Sequence, residues 1–176
     1  FTENLRAAAF QTTSIMSTTG FSSQNFVLWP AGAQCLILLM MFIGGSSGST
    51  AGGVKVIRWV IFSKQMTNEM HRMIHPHGIF NIRLNGRAGR KDVVFSVASF
   101  LFLYFLLVII TAIVASLSGI DVISSFTAAL AMIGNIGPGL GAVGPAENFG
   151  FFADGIKWWF SFMMIAGRLE LYTIIL

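Results

Sequence analysis

Charge is what this chain has least of. Only 10% of its 176 residues are Asp, Glu, Lys or Arg, while 55% are hydrophobic. A soluble domain carries about 25% charged residues, so too few charges are present to cover a water-facing surface, and much of this surface must face lipid. Cysteine is nearly absent as well. Cys35 is the single one, which excludes a disulfide framework or a thiolate metal site within the chain. Histidine occurs three times, as His71, His75 and His77, all in one polar window. No apolar run therefore contains the base that an intramembrane nucleophile would need.

Positive charge is present but concentrated. Lys55, Arg58, Lys64, Arg72, Arg83, Arg87, Arg90 and Lys91 fall in one window whose only acid is Glu69. A basic segment between apolar runs marks the cytoplasmic side of a membrane. Without stacking aromatics it is a poor nucleic-acid surface. The uncharged, Phe- and Leu-rich residues 93–118 are long enough to cross a bilayer. Residues 31–43 form a shorter apolar run that breaks at Gly44-Gly45-Ser46-Ser47-Gly48-Ser49-Thr50-Ala51-Gly52-Gly53. A third element resumes at Val54 and runs toward Phe62, and a fourth covers 156–176. Asn85-Gly86 between short alternating segments predicts a small cytoplasmic hairpin. The chain begins at Phe1 and ends inside an apolar run, so it is expected to be a piece of a longer protein.

Two shorter segments predict half-length helices on the side away from the basic window. One is Thr2–Met16, with Thr2 as the expected N-cap. The other is 121–133, with Asp121 as its N-cap. Both run into glycine-containing polar stretches, Ser17-Thr18-Thr19-Gly20 and Gly134-Asn135-Ile136-Gly137. Setting Gly20 on Gly137 aligns residues 9–20 with 126–137. Downstream, residues 39–45 align with 162–168. The repeating unit is therefore span, half-helix, loop, span, with one unit complete and the first lacking its leading span. Non-helical backbone at membrane depth persists only where it is buried or lines water. A half-helix aims the negative end of its dipole at the centre, and the loop carbonyls can replace a cation's hydration shell. Gly20 and Gly137 are the bends where such a path is expected. The fold class expected is all-α, with tandem parallel helix–pore half-helix–helix repeats. The organisation expected is 1–62 (half-helix, loop and broken second helix), 63–92 (basic cytoplasmic loop) and 93–176 (the complete unit).

Four stretches resemble the Trk/Ktr/HKT superfamily of potassium-uptake proteins. They are Thr18-Thr19-Gly20-Phe21, the run from Ile43 through the glycines to Lys55, the loop from His75-Pro76 to Leu84-Asn85-Gly86, and Gly134-Asn135-Ile136-Gly137-Pro138-Gly139. The loop motif favours the TrkH branch over the KtrB branch. The resemblance covers essentially the whole chain, as the third and fourth of four pore units. It implies a filter at Thr18, Thr19, Gly20, Phe21, Asn135, Ile136, Gly137 and Pro138, with potassium at Thr19, Gly20, Ile136 and Gly137. The repeat alignment puts Arg168 where the first unit has Gly45. An arginine at membrane depth needs partners, and carbonyls and hydroxyls of the 44–53 loop suit its fork. The expectation is therefore a gate of Gly44, Gly45, Gly48, Gly52 and Gly53 that Arg168 holds closed while it repels cations below the filter. The alternative is that Arg168 only snorkels or fixes helix packing. The resemblance points the same way as the gate, with an intramembrane loop and an arginine in the last unit. No cofactor is implied beyond the transported potassium ion. The partners implied are membrane lipid, a second copy in a homodimer, and a cytosolic nucleotide-binding subunit like TrkA; nucleic acid is not among them. The setting implied is a bacterial inner membrane, multi-pass, with 55–91 in the cytoplasm.

Other readings compete on particular residues. Gly44-Gly45-Ser46-Ser47-Gly48 matches a nucleophile-elbow spacing but lacks a base at membrane depth. Gly48 to Lys55 superficially resembles a phosphate loop, yet Val54 separates Gly53 from Lys55 and no Ser or Thr follows. Glu147 and Asp154 could form an acidic vestibule or simply a solvated face. A secondary transporter with broken helices is the main rival in class, but its repeats would usually be inverted. A purely structural membrane subunit would not need two glycine loops, and a sodium-permeable member of the same superfamily would share every motif.

Overall fold

The structure is a computed structural model that describes residues 2–75, the strand pairs 83–84 and 87–88, and residues 91–169. Its elements in order are α1 (Thr2–Met16), α2 (Ala31–Phe42), α3 (Val56–Ile74), β1 (Arg83–Leu84), β2 (Arg87–Ala88), α4 (Lys91–Ser116), α5 (Val122–Ile133) and α6 (Asp154–Arg168). Among the described residues the protein is all-α apart from one short antiparallel strand pair, in which Arg83 pairs with Ala88 and Leu84 with Arg87. The Asn85-Gly86 turn itself lies outside the described residues.

Among the described residues one helix is long and apolar enough to cross a membrane. Its stretch Val93–Ser116 has 24 residues at a mean hydropathy of 2.8. At about 1.5 Å per residue it reaches roughly 36 Å, more than the hydrocarbon thickness of about 30 Å. The 12-residue helices α2 and α5 reach only about 18 Å, half a span each.

The core is built around α5. Its sequence alternates small and medium residues, and Ser124, Ser125 and every residue from Thr127 to Ile133 are buried. Ala128, Ala129 and Ala131 let α4 and α6 approach closely, as small residues do between membrane helices; α2 contacts it too. The buried hydroxyls are satisfied locally: Ser125 Oγ donates to Asp121 O (3.0 Å) and Thr127 Oγ1 to Ile123 O (2.9 Å). Asp121 caps α5 by accepting from Ser124 N at 3.1 Å. The Ser124 side chain and backbone together hold this carboxyl below the usual aspartate range. The cap is therefore complete above that range and is lost as pH falls through the lowered value. Phe42, at the end of α2, has its ring centroid 5.9 Å from that of Phe105 on α4 and 6.2 Å from that of Phe126 on α5.

Two boundaries differ from expectation. Helix α3 does not end near Phe62 but runs to Ile74, so the first part of the expected basic loop is helix. Residues 63–74 contain neither Gly nor Pro, and Gln65 Nε2 donates to Glu69 Oε1 at 2.6 Å, one turn away. His71 and Arg72 lie in the last turn, where positive charge suits the helix dipole. In α1, Thr2 is already helical rather than the residue before the helix. Arg58 on α3 lies over the Phe100 ring at 3.8 Å, a cation–π contact that docks α3 onto α4.

Candidate pore loops and gate loop

The two half-helices end in the same way, bond for bond. At the end of α1, Ser17 N donates to Thr13 O (2.9 Å), Thr18 N to Ile15 O (3.1 Å) and Thr19 N to Ser14 O (2.9 Å). At the end of α5, Gly134 N donates to Leu130 O (2.8 Å), Asn135 N to Met132 O (3.2 Å) and Ile136 N to Ala131 O (2.9 Å). Each is a Schellman cap, which closes a helix through a left-handed residue just past its end. That residue is Thr18 (φ 54°) in one and Asn135 (φ 52°) in the other. Sequence reasoning placed the bend at the glycines. The structure shows two turns per loop, one at Thr18 or Asn135 and the next at Gly20 (φ 78°) or Gly137 (φ 101°).

These caps bring the two loops together. A Cβ added at Gly20 would run into the carbonyl oxygen of Ile136, and one added at Gly137 would lie 3.8 Å from Gly20 Cα. The two half-helices thus end at one place. Beyond the glycines each loop is tied back to its own half-helix. Ser14 Oγ donates to Phe21 O at 2.6 Å, while Leu140 N donates to Thr127 Oγ1 at 3.0 Å and Ala142 N to Ser124 Oγ at 2.8 Å. Of the residues expected at the filter, Thr19, Phe21 and Gly137 are exposed and Thr18, Gly20, Asn135 and Pro138 are half-buried. Ile136 is different: the whole residue is buried, at 2% exposure.

The 44–53 loop lies between α2 and α3. Its ends are pinned by Gly44 N to Val54 O (2.9 Å) and Val56 N to Gly45 O (3.2 Å). Trp59 Nε1 donates across the break to Phe42 O at 3.4 Å. The middle turns through Ser49 N to Ser46 O (3.0 Å), and Gly48 has open space around it. Gly52 is buried. Its N–H donates to Thr18 Oγ1 at 3.2 Å, and a Cβ there would overlap the Gly134 carbonyl oxygen. The loop therefore rests on the caps of both half-helices. A cavity of about 600 Å³ lies between it and the end of α1, with Thr13, Ser17, Ser46 and Ser49 in its walls.

Arg168 corrects one expectation. It is the last residue of α6 and is exposed. Among the described residues it makes no hydrogen bond or ion pair, and the described bonds between the loop and the rest of the molecule go elsewhere. A Cβ on the preceding residue, Gly167, would overlap the carbonyl oxygen of Ile133, so α6 ends packed closely against the end of α5. Asp154, at the start of α6, pairs with Lys157 at 3.4 Å. His71 and His75 lie at the far end of α3, remote in sequence and structure from Ser46 and Ser47. His77 lies outside the described residues.

Helix, re-entrant half-helix and glycine loop, twice over and meeting at one point, define a membrane protein of the pore-repeat class. The chain belongs to the TrkH family: a family model described as a cation transport protein matches residues 2–176. It is 39% identical over 169 residues to the Trk system potassium uptake protein TrkH of Vibrio parahaemolyticus, covering 96% of this chain and 34% of that protein. It is 36% identical to TrkH of Escherichia coli K12, over 97% of this chain and 35% of that protein. The fold is similar to the crystal structure of the potassium transporter TrkH from Vibrio parahaemolyticus, with a TM-score of 0.86 and 39% identity. That match covers 96% of this chain and 36% of that one. The chain thus spans about a third of the length of the curated relatives it matches.

Proposed function

We propose that this chain supplies two of four units around a single potassium-conducting pore in a bacterial potassium uptake system. The supporting observation is the meeting of two half-helix C-termini at Gly20 and Gly137. Each terminus carries about half a negative charge, and both face the same point. Backbone carbonyls of Thr19, Gly20, Ile136 and Gly137 would replace the hydration shell of the ion, with Thr18, Phe21, Asn135 and Pro138 shaping the loops. The 44–53 loop, including Gly44, Gly45, Gly48, Gly52 and Gly53, lies against the helix side of the filter and would act as the gate. Arg168 would contribute positive charge below the filter instead of a latch on the loop. The exposed apolar residues Leu5 and Phe10 on α1 suit a helix that packs on the remaining units. A homodimer and a cytosolic nucleotide-binding subunit like TrkA complete the proposal, on family grounds.

The test is tracer flux. The full-length protein in liposomes is expected to take up rubidium tracer down a gradient, with potassium competing better than sodium. Uptake no greater than in empty liposomes would refute the pore, and equal competition by sodium would reassign it as a sodium-permeable member.

Orientation is tested separately. With residues 55–91 in the cytoplasm, a cysteine at position 85 (Asn85→Cys, with Cys35→Ser) is expected to react with an impermeant maleimide only after cells are opened. Labelling of intact cells would invert the topology.

A further inference from the structure

Thr18 and Asn135 occupy the same place in the two units, yet their side chains do different jobs. Asn135 Nδ2 donates to Met164 O at 2.9 Å, in the uninterrupted helix α6. Thr18 Oγ1 accepts from Gly52 N at 3.2 Å, in the glycine loop that interrupts the corresponding span. In both units the left-handed cap residue fastens the filter loop to the second span of its own unit. In one the anchor is rigid helix, and in the other it is a loop with five glycines and a cavity beside it.

The choice of Thr is itself informative. A left-handed cap position is usually Gly, sometimes Asn, and a β-branched residue at positive φ is a genuine outlier. Such strain persists only where the surroundings over-determine it. At Thr18 the surroundings include the Gly52 N–H, and Gly52 in turn lies against the Gly134 carbonyl at the other cap. The seated loop therefore contacts both filter entrances, and Thr18 is its hydrogen-bonded point.

We infer that Thr18 is a positioning residue that couples the 44–53 loop to the filter, so that seating the loop and ordering the first filter loop are one event. When the loop leaves, the Thr18 hydroxyl loses its donor and the strained turn ahead of Thr19 and Gly20 loses its support. Linkage makes the coupling reciprocal: an ion that orders the filter also favours the seated loop. The inference rests on the gate proposed above.

Thr18→Val isolates the hydroxyl, because both side chains are β-branched and share the strain at φ 54°. One neutral hydrogen bond of ordinary strength corresponds to roughly a two- to tenfold shift in an equilibrium. In the full-length protein in liposomes, Thr18→Val is expected to raise rubidium flux by about that factor and to lower the preference for potassium over sodium. Thr18→Ser, which keeps the hydroxyl, is expected to restore both. Gly52→Ala puts a methyl where the Gly134 carbonyl sits and should unseat the loop; adding Thr18→Val to it is expected to change nothing further, the non-additivity of two residues acting through one contact. Several outcomes overturn the inference: Thr18→Val at wild-type flux and selectivity while Gly52→Ala raises flux, equal Thr18→Val effects in both backgrounds, or loss of flux on removing the hydroxyl. If Gly52→Ala and loop shortening both leave flux unchanged, the gate fails first, and that result is distinct from all three.

Discussion

Gly20→Ala is expected to abolish most potassium-selective flux, and Gly137→Ala to impair it less. Both glycines sit at positive φ, 78° and 101°, where an L side chain costs about 1–3 kcal/mol. Their surroundings differ. A methyl at Gly20 collides with the Ile136 carbonyl oxygen and comes within 3.3 Å of Pro138 Cδ, whereas a methyl at Gly137 makes only ordinary contact with Gly20 Cα. The collision adds an overpacking cost of about 1–3 kcal/mol, and it acts on a carbonyl proposed to bind the ion. The sum for Gly20→Ala is about twice the cost for Gly137→Ala, with each 1.4 kcal/mol worth about tenfold in the population of the working geometry. Rubidium flux and potassium-over-sodium competition at matched membrane expression measure it. Wild-type flux and selectivity in both variants would remove these glycines from the ion path, and a reversed ranking would contradict the packing at Gly20.

Removing residues 46–50 is expected to raise flux in the absence of any regulatory subunit. The deletion is structurally conservative. A Cβ built on Gly45 lies only 3.0 Å from Ala51 Cβ, so the cut joins spatial neighbours. The bonds from Gly44 to Val54 and from Val56 to Gly45 can close the shorter loop. What goes is the exposed tip around Gly48, together with the Ser47 carbonyl that accepts from Lys55 Nζ at 3.4 Å. Arg168→Gln is expected to raise flux as well, through the loss of a positive charge proposed to lie below the filter. Since Arg168 has no described contact with the loop, the two effects should add, as those of independent sites do. Flux measured with and without the proposed cytosolic subunit reads the result. A shortened loop with unchanged or lower flux would show that this segment is not the gate, and strong non-additivity would restore a latch between Arg168 and the loop.

Much of this architecture is legible without coordinates. Scarce charge and the run over 93–116 mark a membrane chain, because a bilayer leaves few alternatives to an uncharged helix of that length. The half-helices were found by pattern: Asp121 caps α5 as its side chain predicts, and α1 ends at Met16 just before its polar stretch. The parallel repeat was visible as well, since placing Gly20 on Gly137 also superposes the two caps. The extent of α3 was missed because its polar residues after Phe62 read as loop, although no Gly or Pro ends the helix there. The second turn in each pore loop was missed because Thr at a left-handed position breaks a local rule. The alignment of Thr18 with Asn135, a residue that tolerates such angles, was the only signal that could have found it.

The amino-acid sequence by itself determined the class, the half-helices, the parallel repeat and the two glycines at its centre. These rest on local rules of hydrophobic run length, side-chain caps and glycine's freedom, each legible in a few neighbouring residues. Only the tertiary structure decided what touches what. It set Gly20 against Ile136 and Gly167 against Ile133, and seated Gly52 between Thr18 and Gly134. Those contacts join residues between 34 and 116 positions apart. Backbone oxygens and missing side chains make most of them, and neither leaves a mark on residue type that a single sequence can show.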